Sequence, residues 1–158
     1  MSDRLITDCV LELQQKIPLI IADYATQFPG QTLGAICTLR SIAEQQADYA
    51  KGRTVAPIGA RYEVTTIDGV TKFSKHNPWP NQPLSQAVDF GVFINKAYMT
   101  EDSYYYPLLD LARKYSLISG LDFFNTGLPL ADCLAKKTFH DPPHVEVPGP
   151  LYMPKQVS

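Results

Sequence analysis

A chain of 158 residues, 45% hydrophobic and 19% charged, is long enough to bury a core without disulfides and too apolar for disorder. Its formal net charge of −2, without a run of lysine or arginine, excludes the basic surface expected of a nucleic-acid-binding protein. Neither a secretion signal nor an apolar stretch of about 18 residues occurs, so we expect a soluble cytosolic protein that does not insert into a membrane. The three cysteines, Cys9, Cys37 and Cys133, are expected to be reduced core residues.

The N-terminal part of the chain is predicted to be mainly helical. Apolar residues recur at three- and four-residue intervals over 3–17, which predicts an amphipathic helix. Pro18 is expected to end this helix or to open a second one over 19–28. Residues 32–39 are predicted to form a short buried strand.

The next segments combine a helix with short strands. Ser41 and Glu44 have the spacing of a capping box, which predicts a helix from Ser41 to about Gly52. The pair Asp68-Gly69 predicts the turn of a β-hairpin. A strand is predicted over 84–94, with Val88, Phe90 and Val92 on one face and Ala87, Asp89 and Gly91 on the other.

Residues 101–117 are predicted to form a helix whose first turn accommodates Pro107. We assign no element to 120–139, and the tail from Pro148 is expected to be extended and peripheral. The pattern predicts an α+β domain with a small antiparallel sheet and helices mainly on one side. Residues 1–147 are expected to form this single domain, residues 148–158 an extended tail, and the whole protein a monomer.

The three histidines lie in two short patches, His76 in a Pro-rich segment and His140 and His144 in FHDPPHVEV. Two imidazoles and one carboxylate form a ligand set suited to a catalytic zinc ion that keeps a fourth position for water. Asp89 is the candidate carboxylate, because an ionised acid inside a strand is costly to bury without a cation. The alternatives are a strand edge where Asp89 pairs with lysine or arginine, and structural or surface positions for the histidines.

His140 and His144 stand four residues apart, but Pro142 and Pro143 exclude a helical pair of ligands. In an extended chain the two histidines share one face while Asp141 points elsewhere. Spacing alone therefore leaves open whether His140 or Asp141 acts beside His144.

Four segments carry, in this order, a resemblance to a known family: CTLRSIAEQQADYAKGRT, SKH, SQAVDF and DPPH. Over roughly residues 30 to 147 the chain resembles the zinc peptidases that include D,D-carboxypeptidases, vancomycin-resistance D,D-dipeptidases and phage L-alanyl-D-glutamate endolysins. The resemblance implies a Hedgehog/D,D-peptidase-like fold and a Zn²⁺ cofactor held by His76, Asp89 and His144.

The same resemblance implies roles for further residues. Asp141 corresponds to the general base, and Arg40 to the arginine that reaches the substrate carbonyl or carboxylate. Arg40 alternatively pairs with a nearby acid. Ser74, in the Ser-X-His element, is expected to orient His76 or its loop. Glu146 shares a strand face with His144 and is expected to support that ligand or to substitute as base, ranked below Asp141.

Two features set the chain apart from the common family pattern. The segment PWPNQPL lengthens the connection between His76 and Asp89, and Ser85 stands where glycine is frequent. The ligands are still expected to meet, because the cost of closing a loop grows slowly with its length. Trp79 in the insertion is expected either to line the substrate groove or to pack the loop down.

The second feature is DPPH in place of Glu-X-Trp-His, which resembles the phage endolysin branch. The resemblance implies hydrolysis of an amide in the bacterial peptidoglycan stem peptide, foremost the L-alanyl-D-glutamate bond. The protein would be made in the host cytoplasm without a signal peptide and would reach the wall after the membrane is permeabilised. The alternatives are a D,D- or L,D-carboxypeptidase of cell-wall peptides and an inactive, metal-bearing binding module.

Overall fold

The computed structural model describes residues 4–136 and 138–152. In these ranges one antiparallel sheet of five strands is accompanied by four α-helices, which confirms the predicted α+β class. The strands are β1 Gln31–Cys37, β2 Ala87–Ile94, β3 Ala97–Met99, β4 Ile118–Ser119 and β5 His144–Glu146. The helices are α1 Leu11–Gln27, α2 Ile42–Ala50, α3 Leu108–Lys114 and α4 Leu130–Ala135.

The strand order in the sheet is β1-β2-β5-β4, and β3 pairs with the far end of β2. The central strand β2 alternates as predicted, because Val88, Phe90 and Val92 enter the main core while Asp89 belongs to the opposite face. Helices α1 and α3 contribute the other large share of this core. One face of the sheet is thus committed to packing, and the other is available for a site.

Helix α1 is continuous, so the prediction of two helices separated at Pro18 is wrong. Its buried residues Leu13, Ile17, Ile20 and Tyr24 follow one stripe on both sides of the proline. Pro18 itself is exposed, and the backbone hydrogen bond that it cannot make therefore falls on the solvent side of the helix. Burial of the continuous stripe offsets that loss.

The N-terminal end of the predicted first helix is a separate 3₁₀ turn, Ile6–Asp8. Strand β1 and helix α2 agree with their predictions, and the capping box of Ser41 and Glu44 is present. Helix α2 ends at Ala50, two residues before the predicted boundary.

The predicted hairpin around Asp68-Gly69 is wrong, because the described structure has a loop there and only a 3₁₀ turn at Ala60–Tyr62. The Asp68 carboxylate accepts hydrogen bonds from the backbone N–H groups of Val70, Thr71 and Lys72, which a hairpin would pair across strands. This side chain therefore offers the backbone a local alternative to strand pairing.

The predicted helix over 101–117 is divided into a 3₁₀ turn, Asp102–Tyr105, and α3, which begins directly after Pro107. The unassigned region contains α4. The described part of the tail has no regular secondary structure, and Tyr152 lies against Phe73 and Trp79 with ring centroids 5.5 and 5.8 Å away. Residues 153–158 of the predicted tail lie outside the described residues.

The three cysteines form no disulfide and are buried, as expected. None of the helices in the described ranges combines the length and the apolar character needed to span a bilayer.

Candidate metal centre

Three neighbouring strands place side chains with metal-binding atoms in one lateral row. Asp89 on β2 is the register partner of Cys37 on β1 and of His144 on β5. Register partners in an antiparallel sheet project from the same face, here the face opposite to the Val88–Val145 pair in the core. The sheet register therefore brings together residues that are about fifty positions apart in sequence.

His76 reaches this row from the loop before β2. Its backbone carbonyl accepts from the N–H of Arg40 at 2.8 Å, and the Asn77 side chain donates to the Arg40 carbonyl at 2.9 Å. These hydrogen bonds hold the histidine loop against the segment that follows β1. The insertion at 78–84 does not prevent this arrangement, because Trp79 and Gln82 close it with two backbone hydrogen bonds.

The three predicted ligands converge on one point. His76 Nε2 lies 3.1 Å from Asp89 Oδ1 and 3.3 Å from His144 Nδ1, and His144 Nδ1 lies 2.9 Å from Asp89 Oδ1. In a tetrahedral zinc site with bonds of about 2.0–2.1 Å, the ligand atoms are separated by about 3.3 Å. The spacing of the donor atoms thus fits a small ion bound by all three side chains.

The hydrogen bonds of the outer ring nitrogens also fit metal ligation. His76 Nδ1 lies 2.7 Å from the Thr38 carbonyl oxygen, and His144 Nε2 lies 2.9 Å from Glu146 Oε2. Because both partners are acceptors, each ring in its neutral form carries its proton on the outer nitrogen and keeps a lone pair on the inner nitrogen. The inner nitrogens and Asp89 are then three acceptors in mutual contact, an arrangement that a cation stabilises.

The electrostatics of the centre favour positive charge. Burial disfavours the charged form of His76, but the Asp89 carboxylate outweighs it and raises the pKa of His76 well above its usual value. Burial also disfavours the charged form of His144, but its hydrogen bonds to Asp89 and Glu146 outweigh this effect and raise the pKa of His144 to about 9. Burial also opposes ionisation of Asp89, yet the two histidines hold the pKa of Asp89 well below its ordinary range.

Asp141 lies beside the centre, and His140 does not take its place. One group of side chains that could hold a metal ion consists of Asp89, Asp141 and His144. The ring of His140 instead approaches the Thr138 hydroxyl, with 3.4 Å between Nε2 and Oγ1. Burial raises the pKa of Asp141, and Asp89 adds to this, against the opposing effect of His144. A carboxyl group with a raised pKa is a better proton acceptor than an ordinary carboxylate.

Arg40 also lies next to the centre. Its guanidinium Nη2 lies 3.9 Å from Asp89 Oδ2 and 3.7 Å from Cys37 Sγ. The alternative expected from the sequence also has support, because Arg40 is 3.9 Å from Asp48 and donates to Gln45 Oε1 at 3.2 Å. Gln45 is buried and is held in turn by the Ile67 carbonyl, so the position of Arg40 is well defined.

The remaining predicted residues lie around the predicted ligands. Ser74 Oγ accepts from the His76 backbone N–H at 3.2 Å, as expected for a residue that orients the histidine loop. The Trp79 indole donates to the Ser74 carbonyl and stacks on Tyr152, contacts that pack the loop down. Both carboxylate oxygens of Glu146 are engaged, one by His144 and one by Lys75. These contacts agree with the predicted support of His144 by Glu146 and leave neither carboxylate oxygen without a partner.

Sequence reasoning missed three residues at this centre. Cys37, expected only to fill core space, forms a second group with His76 and Asp89 that could hold a metal ion. Lys75 is buried and contacts Glu146. Gly120 donates its N–H to the His144 carbonyl and accepts from the Asp141 N–H, which fixes the segment between these residues. The Ser-Lys-His spacing was the one available signal, since it places Lys75 next to a ligand.

Comparison with protein-family models gives no match, and comparison with curated proteins gives no significant match. The structure itself contains buried groups of His, Cys and Asp side chains that could bind a metal ion. The relationship to zinc peptidases stays a prediction that rests on the four ordered sequence motifs.

Proposed function

We propose that this protein is a zinc metallopeptidase that hydrolyses an amide bond in the peptidoglycan stem peptide, foremost L-alanyl-D-glutamate. One observation carries the proposal: the donor atoms of His76, Asp89 and His144 lie 2.9–3.3 Å from one another, and Asp141 lies beside them. Two imidazoles and a carboxylate suit zinc better than calcium or magnesium, which prefer all-oxygen sites.

Each residue around the proposed zinc site would have a separate role in the hydrolysis. A bound zinc ion would polarise a carbonyl group and lower the pKa of water to about 7. Asp141 would accept a proton from the attacking water and donate it to the departing amine, a role that its raised pKa supports. Arg40 would contribute positive charge to the oxyanion of the tetrahedral intermediate. Ser74 and Glu146 would hold the two histidine ligands in orientation.

Only the sequence supports the choice of a peptidoglycan peptide as the substrate. The order of Arg40, Ser-Lys-His, Ala-Val-Asp and Asp-Pro-Pro-His resembles the peptidoglycan peptidases, and Asp-Pro-Pro-His resembles their phage endolysin branch. On this reading the protein acts as a monomer on the wall of the bacterium that makes it. It would reach the wall from the cytoplasm after the membrane is permeabilised, without binding nucleic acid or inserting into lipid.

The test combines metal analysis with mass spectrometry of digested sacculi. We expect about one zinc per chain and large muropeptide fragments with new D-glutamate amino termini. Loss of terminal D-alanine alone would identify a carboxypeptidase. Equal, background-level clearance by wild type and Asp141→Asn, with zinc still bound to both, would identify an inactive binding module. Absence of bound zinc from the wild type would overturn the proposal.

A further inference from the structure

Lys75 is a lysine whose side chain is only 1% exposed, a rare environment for an ammonium group. Removing such a charge from water is costly, and it persists only where partners satisfy it. Its ammonium group lies 3.2 Å from Glu146 Oε1 and donates a hydrogen bond to the Val147 carbonyl. Both partners belong to β5 or directly follow it, the strand that carries His144.

Glu146 connects this lysine to the metal centre. Its second oxygen, Oε2, lies 2.9 Å from His144 Nε2, on the side of the ring opposite to the Nδ1 atom that faces Asp89. His144 and Glu146 are two positions apart on β5 and therefore share a face of the strand. The carboxylate is thus held by the lysine and in turn holds the imidazole.

The backbone of Lys75 is fixed as firmly as its side chain. Its carbonyl accepts from the Gln86 N–H at 2.7 Å, and the Gln86 carbonyl accepts from the Val147 N–H at 3.0 Å. Lys75 also directly precedes the ligand His76. The lysine therefore joins the loop that supplies one ligand to the strand that supplies another.

We infer that Lys75 is a positioning residue for the metal centre: it holds Glu146, which in the proposed function orients His144 through Nε2, and it joins the two segments that carry the proposed ligands. The inference rests on the metal centre of the proposed function, and it does not depend on which bond is cleaved. Hydrogen-bond partners of this kind affect metal affinity by about 10–100-fold.

The experiment measures zinc affinity by competition with a chromophoric chelator, together with thermal stability, for wild type, Lys75→Met, Glu146→Met and the double variant. We expect each single variant to bind zinc about 10–100-fold more weakly than wild type. The double variant removes both buried charges, so its thermal midpoint should recover relative to the single variants while its zinc affinity stays low. Recovery of the affinity together with the midpoint would show that the pair is merely structural and would overturn the inference.

Arg113→Met is the matched control, because it breaks another partly buried ion pair, 2.7 Å from Asp122, without touching the centre. It should lower the thermal midpoint and leave zinc affinity within about twofold of wild type. Glu146→Gln keeps the shape and one acceptor oxygen, so its affinity should fall between those of wild type and Glu146→Met. This variant preserves the test should the methionine variants fail to fold.

The ¹⁵N resonances of the His144 ring give a readout that a purely structural role would not move. In the zinc-loaded wild type, the Nε2–H should show a strong hydrogen bond to a carboxylate, and Glu146→Met should abolish that signature. Zinc affinity and ring resonances unchanged in Glu146→Met would overturn the inference and leave the metal centre standing. A wild type that binds no zinc would overturn both proposals.

Discussion

Among the residues that lie next to the candidate metal centre but supply no metal-binding atom, Gly120 should tolerate substitution least. A Cβ atom there would lie 2.0 Å from the Asp141 carbonyl oxygen and 2.9 Å from His144 Cβ. Non-bonded carbon and oxygen atoms need at least about 3 Å, so Gly120→Ala must displace the Asp141 backbone by about 1 Å. The obstacle is backbone and not the end of a flexible side chain, and it cannot move aside independently.

The displacement should affect both stability and the site. Overpacking of this kind costs about 1–3 kcal/mol, which corresponds to a thermal midpoint lower by about 2–12 °C in a domain of this size. If Asp141 is the proposed catalytic base, its misplacement by about 1 Å is sufficient for a loss of about 100-fold in turnover. We therefore expect Gly120→Ala to melt earlier and to digest sacculi about 100-fold more slowly than wild type.

Gly34→Ala is the matched control, because a Cβ at Gly34 would meet only the Phe93 ring at 3.8 Å, an ordinary contact. Melting curves followed by circular dichroism and initial rates of sacculus digestion should separate the two alanine variants. Equal melting temperatures and equal rates for both would refute the claim that Gly120 sets the position of Asp141.

Three further predictions concern the ion, a loop and a helix start. Removal of zinc with a chelator should lower the thermal midpoint and re-addition should restore it, because an ion at about 100 times its dissociation constant stabilises the fold by about 2.7 kcal/mol; an unchanged midpoint would contradict a resident ion. Burial opposes ionisation of Asp68, but hydrogen bonds from Thr71 and neighbouring N–H groups hold its pKa at about 2. This lowered pKa stabilises the fold above the unfolded value of about 4, and the contribution disappears between about pH 4 and 2. After discounting for solvent screening, the free energy of unfolding of wild type should fall by about 1 kcal/mol more over that pH window than that of Asp68→Asn, as measured by denaturant titration. Identical pH profiles for the two proteins would contradict a stabilising role for the Asp68 hydrogen bonds. Ser41→Ala should cost about 1 kcal/mol in the same assay, since it removes a capping hydrogen bond to the Glu44 N–H, whereas an unaltered stability would mean that the cap is not needed.

The parts of the fold that depend on local sequence could be predicted. Alternation identified β2 and its two faces, and the spacing of Ser41 and Glu44 identified the start of α2. Local rules failed where two of them competed. Pro18 is a helix breaker by itself, but the buried stripe of α1 continues through it. Asp68-Gly69 is a good hairpin turn by itself, but the Asp68 carboxylate binds the same N–H groups that a hairpin needs.

The ligand set and the supporting residues Ser74 and Glu146 could be proposed from the sequence, whereas the parts played by Lys75 and Cys37 could not. His76, Asp89 and His144 belong to recognisable short motifs, and the structure brings their donor atoms together. The path of the loop before β2 places Lys75 beside Glu146, and the register of β1 and β2 places Cys37 beside Asp89. No local pattern in one sequence encodes a contact between residues seventy positions apart.

The row formed by Cys37, Asp89 and His144 also ties the centre to the order in which the protein is synthesised. His144 leaves the ribosome 55 residues after Asp89, so an unfinished chain lacks the last of the proposed ligands His76, Asp89 and His144. Pairing of β2 with β5 is a contact between distant segments, which forms slowly compared with helices and local turns. A polypeptide cut before residue 141 would keep the group of Cys37, His76 and Asp89, but it would lack the proposed ligand His144 and the proposed base Asp141, so we expect no hydrolysis from it.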